Sequence, residues 1–412
     1  MTYVEFFDKA TVENVCACLA QAPERVVLVG HDRDVVAEHI ARYKALLSGR
    51  GYANVEFVPR TVNPNKLDDI VELLSDIVEN YDDCVIDLTG GEDLVLVAVG
   101  IVKERYAYKN VQFQRLNLYT NRMGDCDGDG ITIMASGTEP SLSVAENVAL
   151  YGGEVVFDET RRNYTPQWNV TESLVRDVRR IWEVCRQNAK DWNKQIGTLK
   201  ALSGCCMEGD GSLKTTAALS AVQGTATAYL WDYNLLQTLY MQGFLLAYSN
   251  DFRTVSVTYR DEFVKAMLTM EGRALEMKVF VEALACKDAK GAVYNDVLNG
   301  VVIDWDGVEG TAENEIDVLL MHGIIPVFVS CKNGTIEKDE VYKLNAVSQR
   351  FGTKYAKRVL VSTAMAFARQ DTLEEFKDRT ESLDILLVTD VHTLSDEQWQ
   401  AEISTWWKNT KE

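Results

Sequence analysis

The sequence predicts an α/β protein in three parts, and three observations carry that expectation. Short apolar strands alternate with amphipathic helices through about residue 160, residues 161–260 read as mostly helical, and 261–412 combine a long helix with a three-strand meander and further strands and helices. With 412 residues, 47% of them hydrophobic, the chain has material for two or three cores.

The first part runs through "RVVLVG" (25–30), a helix from Asp34, "NVEFVP" (54–59), a helix over "LDDIVELLSDIVENY", "CVIDLTG" (84–90) and a helix over "EDLVLVAVGIVKERYAY". Such alternation implies a parallel sheet covered on both faces, so residues 1–160 are expected to form a Rossmann-like domain. The middle part, 161–260, has a polar, Gly-bearing break at "SGCCMEGDGSLKTT" (203–216) that reads as an exposed loop. Its last segment, "YLWDYNLLQTLYMQGFLLAYSNDFRTVSVTYR", fits a helix with a two-stranded wing, or a plain helix and hairpin. The last part opens with one helix over 261–288, followed by strands "VLNGVVIDWDG", "NEIDVLLMH" and "IIPVFVSCKNG". A helix around 337–351, strands "RVLVST" and "LDILLVTD", and a Trp-rich terminal helix complete it.

A net charge of -20 argues against general affinity for nucleic acid or membranes, so contact with a polyanion must be made locally. Nine cysteines without a CxxC pair, and no signal or membrane-length apolar run, point to a reduced cytoplasm. The vicinal Cys205 and Cys206 read as loop or packing residues. Four scattered histidines write no zinc site.

Thr89, Gly90 and Gly91 in "DLTGGEDLVLVAVG" (87–100) stand after a buried strand and at a helix mouth. Adjacent glycines admit a ligand close to the backbone, and free N–H groups at a helix start attract anions. The loop after the first expected strand, Gly30, His31, Asp32 and Arg33, would lie beside it at the carboxyl edge of the sheet. Neither GxGxxG nor GxxxxGK[ST] occurs. The DLTGG loop and the short polar loop together resemble CARF domains, the CRISPR-associated Rossmann folds that bind cyclic oligoadenylates. The resemblance implies that both loops of each subunit of a homodimer hold the ligand across a two-fold axis, with Glu92 facing adenine or ribose. Two other patterns are weighed and set aside. Arg33 to His39 has the R-x(4–6)-H spacing of HEPN ribonucleases, but in a Rossmann helix, and "DCDGDGITIMAS" (125–136) starts like a calcium loop yet ends in Ser136.

Toward the other end, Gly272 and Glu276 share a helix face, Asp304 and Asp306 end a strand, Asp317 lies in the next, and Ser330, Cys331 and Lys332 end the third. Helix Glu, strand Asp and strand-end Lys in this order resemble the PD-(D/E)xK nuclease fold, and its linkage to a CARF-like domain resembles the CRISPR ancillary nucleases. Oxygen ligands suit Mg²⁺ or Mn²⁺, which polarise a phosphodiester and generate hydroxide. The resemblance implies Glu276, Asp317 and the Cys331 carbonyl as metal ligands, with Lys332 orienting water. Ser330 stands where that family carries an acid, and Asp304 or Glu315 are the expected replacements. From Val341 to Gln370 there are six Lys or Arg and no acid. Arg350, Lys354, Lys357 and Arg358 are therefore expected to contact nucleic acid beside the metal site, with Phe351 and Tyr355 as stacking or core rings.

The expectation is a cytoplasmic homodimeric nuclease acting on DNA or RNA, switched on by cyclic tetra-adenylate in type III CRISPR defence. A ligand-responsive transcriptional regulator with a winged helix is the alternative, against which 227–248 offers Asp232 as its only charge. A ring nuclease that degrades its ligand is a third reading.

Overall fold

The strand that the sequence suggests as the first is the second. Ahead of it, Thr2–Phe6 forms β1, fully buried despite containing Thr2 and Glu5, which break its apolar signal. The computed structural model describes every residue except 8–10, 118–121, 127–138, 208–210, 309–312, 335, 337, 353–355, 364–369 and 409–412.

After β1 come α1 (Glu13–Gln21), β2 (Arg25–Gly30), α2 (Arg33–Gly49), β3 (Glu56–Thr61), α3 (Leu67–Asn80), β4 (Cys84–Asp87), α4 (Asp93–Arg105), β5 (Gln112–Asn117) and β6 (Arg122–Asp125). Their sheet has the order β3-β2-β1-β4-β5-β6, parallel except where β6 joins β5. Strand order reverses between β1 and β4, and ligands of open α/β sheets bind at such a reversal. Val4 pairs with Ile86 there. This Rossmann-like half is what alternating apolar strands and helices such as α3, with Ile70, Leu74 and Ile77 on its inner face, anticipate.

The boundary expected near 160 lies earlier. Beyond α5 (Val144–Leu150), β7 (Glu154–Val155) joins the carboxy-terminal sheet, its Val155 opposite Ile303. The connector then builds α6 (Glu172–Gln187), α7 (Trp192–Gly204), β8 (Lys214–Ala218), α8 (Leu219–Thr225), α9 (Tyr233–Met241), β9 (Leu245–Asn250) and β10 (Thr254–Tyr259). The antiparallel order β8-β10-β9, with α8 and α9 between β8 and β9, is the arrangement of a winged helix. The loop expected over 203–216 is shorter, since α7 runs to Gly204 and β8 starts at Lys214.

The long helix expected over 261–288 is two helices, α10 (Glu262–Thr269) and α11 (Arg273–Ala285). Gly272 separates them at φ +84°, a conformation that side chains disfavour. There follow β11 (Lys287–Asp288), β12 (Gly291–Ala292), β13 (Asp296–Asp304), β14 (Glu313–His322), β15 (Ile325–Lys332), α12 (Lys338–Gly352), β16 (Lys357–Ser362), α13 (Gln370–Ser382), β17 (Leu386–Val388) and α14 (Asp396–Ile403). The sheet order is β17-β16-β15-β14-β13-β7, with β13 to β15 antiparallel and β15 to β17 parallel.

Two features tie the parts together. One apolar cluster runs from Tyr43 and Leu47 of α2 through Val148 of α5 to Ile303, Phe328 and Leu360. Arg50, which caps the end of α2, adds a two-pronged ion pair to Glu146 of α5, at 2.6 and 2.5 Å, and the Val144 amide of α5 donates to Asp296 at 2.7 Å. Elsewhere the fully buried Lys278 of α11 meets Glu282 at 2.7 Å and also Asp396 of α14, while Arg179 of α6 binds Glu282 at 2.8 Å. Removing either Lys278 or Glu282, both fully buried, costs about 3–5 kcal/mol, because the remaining charge is stranded. Among the described residues no helix is long and apolar enough to cross a membrane.

Candidate functional site

Strands β14 and β15 pair in register from His322 opposite Ile325 to Val318 opposite Val329, and there the ladder stops. Asp317 stands at the fork. Its Oδ2 accepts the Cys331 backbone N–H at 2.6 Å and the Ser330 hydroxyl at 3.3 Å. The side chain thus replaces the cross-strand carbonyl that a continued ladder would supply.

Glu276 enters from α11, in its first turn, where the helix N-terminus favours negative charge. Gly272 caps that turn. A Cβ at 272 would lie 3.0 Å from Glu276 Oε1, so the glycine leaves room for the carboxylate itself. Arg273, which the sequence reading passed over, stands 3.4 Å from Glu276 Oε2 and donates to the buried Asn299 at 3.1 Å. Asn299 in turn donates to the Asp317 carbonyl at 3.0 Å, fastening the start of α11 to β13 and β14. Lys332 ends β15, and its Nζ lies 2.8 Å from Glu340 of α12. Glu340 was also missed: an acid eight residues beyond a lysine carries no signal until a helix turns back.

These groups govern one another's charge. Burial, with Asp317 and Glu315 nearby and Arg273 and Lys332 opposing, pushes Glu276 up to about 7. Burial also raises Asp317, against Lys332, the Cys331 amide and Ser330. Burial works to lower Lys332, but Asp317 and Glu340 outweigh it and hold the ammonium above its ordinary value. Glu276, Asp317, Ser330, Cys331 and Lys332 therefore share one site, and Glu315 joins it from the same face of β14.

Asp304 does not. It ends β13, accepting Arg161 at 2.8 Å and the amides of Asp306 and Gly307 at 3.1 and 2.9 Å, so its carboxylate is engaged away from the fork. The cationic residues also lie elsewhere. Lys357 and Arg358 pair with Val327 and Phe328, whereas Lys332 pairs with Ser362. Five residues of strand set Lys357 roughly 16 Å from Lys332 along the sheet. Arg358 donates to Ser348, and Arg350 stacks on Trp305 at 3.6 Å. Lys354, Tyr355 and the Phe351 side chain lie outside the described residues.

Among the described residues no three or more His, Cys, Asp or Glu side chains stand as a ready metal cluster. The donor chemistry nevertheless fits a hard divalent ion. Glu276 and Asp317 are half-buried carboxylates whose mutual repulsion is only partly relieved by Arg273 and Lys332, and Cys331, whose amide binds Asp317, belongs to the neighbouring strand. Mg²⁺ commonly takes one or two carboxylates and keeps several waters.

At the reversal in the amino-terminal sheet, Asp87 ends β4 and its Oδ1 accepts the Thr89 amide at 2.8 Å and the Thr89 hydroxyl at 2.5 Å. The Leu116 amide donates to Thr89 Oγ1 at 2.7 Å, so Thr89 holds the loop to β5. Gly90 is buried; Gly91 takes φ +100°, where a Cβ would meet Val95 at 3.3 Å and Phe6 at 3.4 Å. Exposed Glu92 precedes α4 without capping it by its side chain. The other loop does not lie directly beside this one, because the unanticipated β1 separates β2 from β4. Gly30 is needed for packing, its Cβ position lying 2.4 Å from Val36, and Asp32 caps α2 by accepting the amides of Asp34 and Val35. His31 and Arg33 are exposed. His39 packs against Phe7 at 4.5 Å on a helix flanking the sheet, away from any helical bundle. The calcium-like stretch lies mostly outside the described residues.

Below this crevice Glu5 and Asp87 face each other on neighbouring strands, both buried. Burial pushes Asp87 up to about 6, with Thr89 and Arg115 opposing. Burial and Asp87 raise Glu5 further.

Compared as a sequence, the chain matches no family model and no curated protein. Its fold is shared end to end with two solved structures. One is protein VC1899 from Vibrio cholerae, with a TM-score of 0.75 and 17% identity over 99% of this chain and 98% of that one. The other is Can2 from Sulfobacillus thermosulfidooxidans in complex with cyclic tetra-adenylate, with a TM-score of 0.65 and 15% identity over 98% of this chain and 97% of that one.

Proposed function

We propose that the chain is a metal-dependent nuclease activated by a cyclic oligoadenylate, cyclic tetra-adenylate in the first instance, and that it serves type III CRISPR defence as a homodimer. The convergence of Glu276, Asp317 and Lys332 where β14 and β15 part is the observation that carries this reading. The shared fold with a protein solved in complex with cyclic tetra-adenylate supports the sensing half.

In this reading Glu276, Asp317 and the Cys331 carbonyl hold Mg²⁺ or Mn²⁺, which supplies charge neutralisation at a phosphodiester and a hydroxide at neutral pH. The chain's own groups do the positioning. The Cys331 amide keeps Asp317 turned into the fork, Arg273 steadies Glu276, and Lys332 offers its ammonium to a non-bridging phosphate oxygen, where charge builds as water attacks. Held by these contacts, the groups need little rearrangement.

For the sensor, the ligand sits at the β1/β4 reversal against Thr89, Gly90 and Gly91, with His31 and Arg33 reaching across β1 from the loop after β2. The outer face of α4, which begins at that loop, exposes Leu94, Leu96 and Val97. A second copy related by a two-fold axis would cover it, as an isologous dimer requires. Helix α2 starts at Arg33 and packs on α5, which packs on β13 and β14, so ligand-induced movement has a solid path to Asp317. The connector's winged-helix topology favours a second reading, a ligand-responsive regulator, but α9 carries no charged residue with which to enter a groove.

The deciding experiment incubates the protein with Mn²⁺, single- and double-stranded DNA and RNA, and each cyclic oligoadenylate in turn. Ligand-dependent cleavage is expected. Equal activity with and without every ligand sinks the switch, and a DNA mobility shift in EDTA without cleavage in Mn²⁺ favours the regulator.

A further inference from the structure

We infer that Glu340 is a positioning residue acting through Lys332, supplying from α12 the carboxylate that position 330 lacks. The inference rests on the nuclease reading of this site. Ser330 has no charge, and its hydroxyl is spent on Asp317. Lys332 therefore has no acid from its own strand end. The one acid within ion-pair distance of its Nζ among the described residues is Glu340, at 2.8 Å.

The local structure supports that role. Glu340 lies in the first turn of α12, where the helix N-terminus favours a negative charge, and its side chain is only 20% exposed. Its other oxygen accepts Lys343 at 3.0 Å, on the outer side, which fixes the carboxylate between an inner and an outer ammonium. Both lysines hold Glu340 well ionised against the pull of burial.

The physical need follows from the lysine. Its long stem carries about 2 kcal/mol of rotamer freedom, so an untethered ammonium in a partly open fork wanders. Asp317 alone is a poor tether, because a cation in the site draws the same carboxylate away. Glu340 anchors Lys332 from the opposite side and leaves Asp317 available. A glutamate at 330 would sit two residues from Lys332 on the same strand face and could provide an equivalent partner.

Four proteins test this: the unaltered chain, Glu340→Gln, Ser330→Glu/Glu340→Gln, and Glu340→Asp, which keeps the charge should the amide variant fold poorly. The first readout needs neither metal nor cleavage: the rate at which Lys332 is acetylated by a water-soluble active ester, followed by mass spectrometry. Glu340→Gln should raise that rate several-fold, Glu340→Asp less, and the double variant should return it toward the original. The second readout is Mn²⁺-dependent cleavage with ligand present. Glu340→Gln should lower kcat on the order of 10–100-fold with little change in KM, and the double variant should regain most of it. Unchanged acetylation in Glu340→Gln, or a double variant no better than the single one in either assay, overturns the inference. If the labelling pattern holds and the unaltered chain cleaves nothing, the ion-pair role stands and the nuclease reading fails.

Discussion

The Cys331 amide nitrogen lies 2.6 Å from Asp317 Oδ2, so a side chain takes the hydrogen bond that the strand pair gives up where it forks. This contact both opens the sheet and aims the acid. Loss of the charge should therefore be separable from loss of the fold.

Asp317→Asn retains an oxygen acceptor for Cys331 and should fold. It should nevertheless cut ligand-activated, Mn²⁺-dependent cleavage by 10²-fold or more, on the order of what a removed transition-state contact costs. Lys332→Ala should do the same while leaving ligand affinity unchanged. Cleavage rates and calorimetric ligand titration check both, and intact cleavage in either variant discards the site.

Glu276 should make the metal-free protein less stable as pH rises. Its folded value near 7 lies above the ordinary 4.5, so the folded state binds the extra proton. Stability is full below 4.5 and declines until the pH passes 7, by on the order of 3 kcal/mol. Glu276→Gln should remove that decline and melt higher than the original at pH 8. Melting curves in EDTA from pH 4 to 8 read this directly.

The sensor half should show its own acid-side signature. Asp87, raised from 3.8 to about 6, loses its stabilising proton as pH climbs through that interval. Asp87→Asn removes the carboxyl that burial raises and should flatten this part of the curve. The facing groups Glu13, Asn14 and Cys16 of α1 and Arg115 of β5 remain in place. Melting curves of Asp87→Asn and the Glu276→Gln variant together separate the two contributions.

Two glycines should respond differently to alanine. Gly91→Ala is expected to lose about 1–3 kcal/mol for its left-handed backbone and to weaken binding of cyclic tetra-adenylate, because its Cβ would press on Phe6 and Val95. Gly272→Ala carries a similar strain, but its Cβ meets Glu276, so cleavage should fall further than stability. Melting temperature set against kcat distinguishes them.

Much of the fold was legible in the sequence because it rests on local periodicity. The alternation through 105, the meander over β13 to β15 and the helix before β16 follow from apolar spacing and turn residues. β1 was not legible, because two of its five residues are polar and yet buried by the strands on either side. The break at Gly272 was not legible either, since a glycine inside a helical pattern reads equally as packing.

By itself, the sequence determined the two α/β halves, the order of Glu276, Asp317 and Lys332 along the chain, and the glycine loop at the mouth of α4. Tertiary structure alone decided that Asp304 and the cations of β16 stand apart from the fork, while Arg273 and Glu340 stand in it. The reason is that strand register and helix return bring together residues that no spacing rule connects, and ionic partnership is set by distance in space.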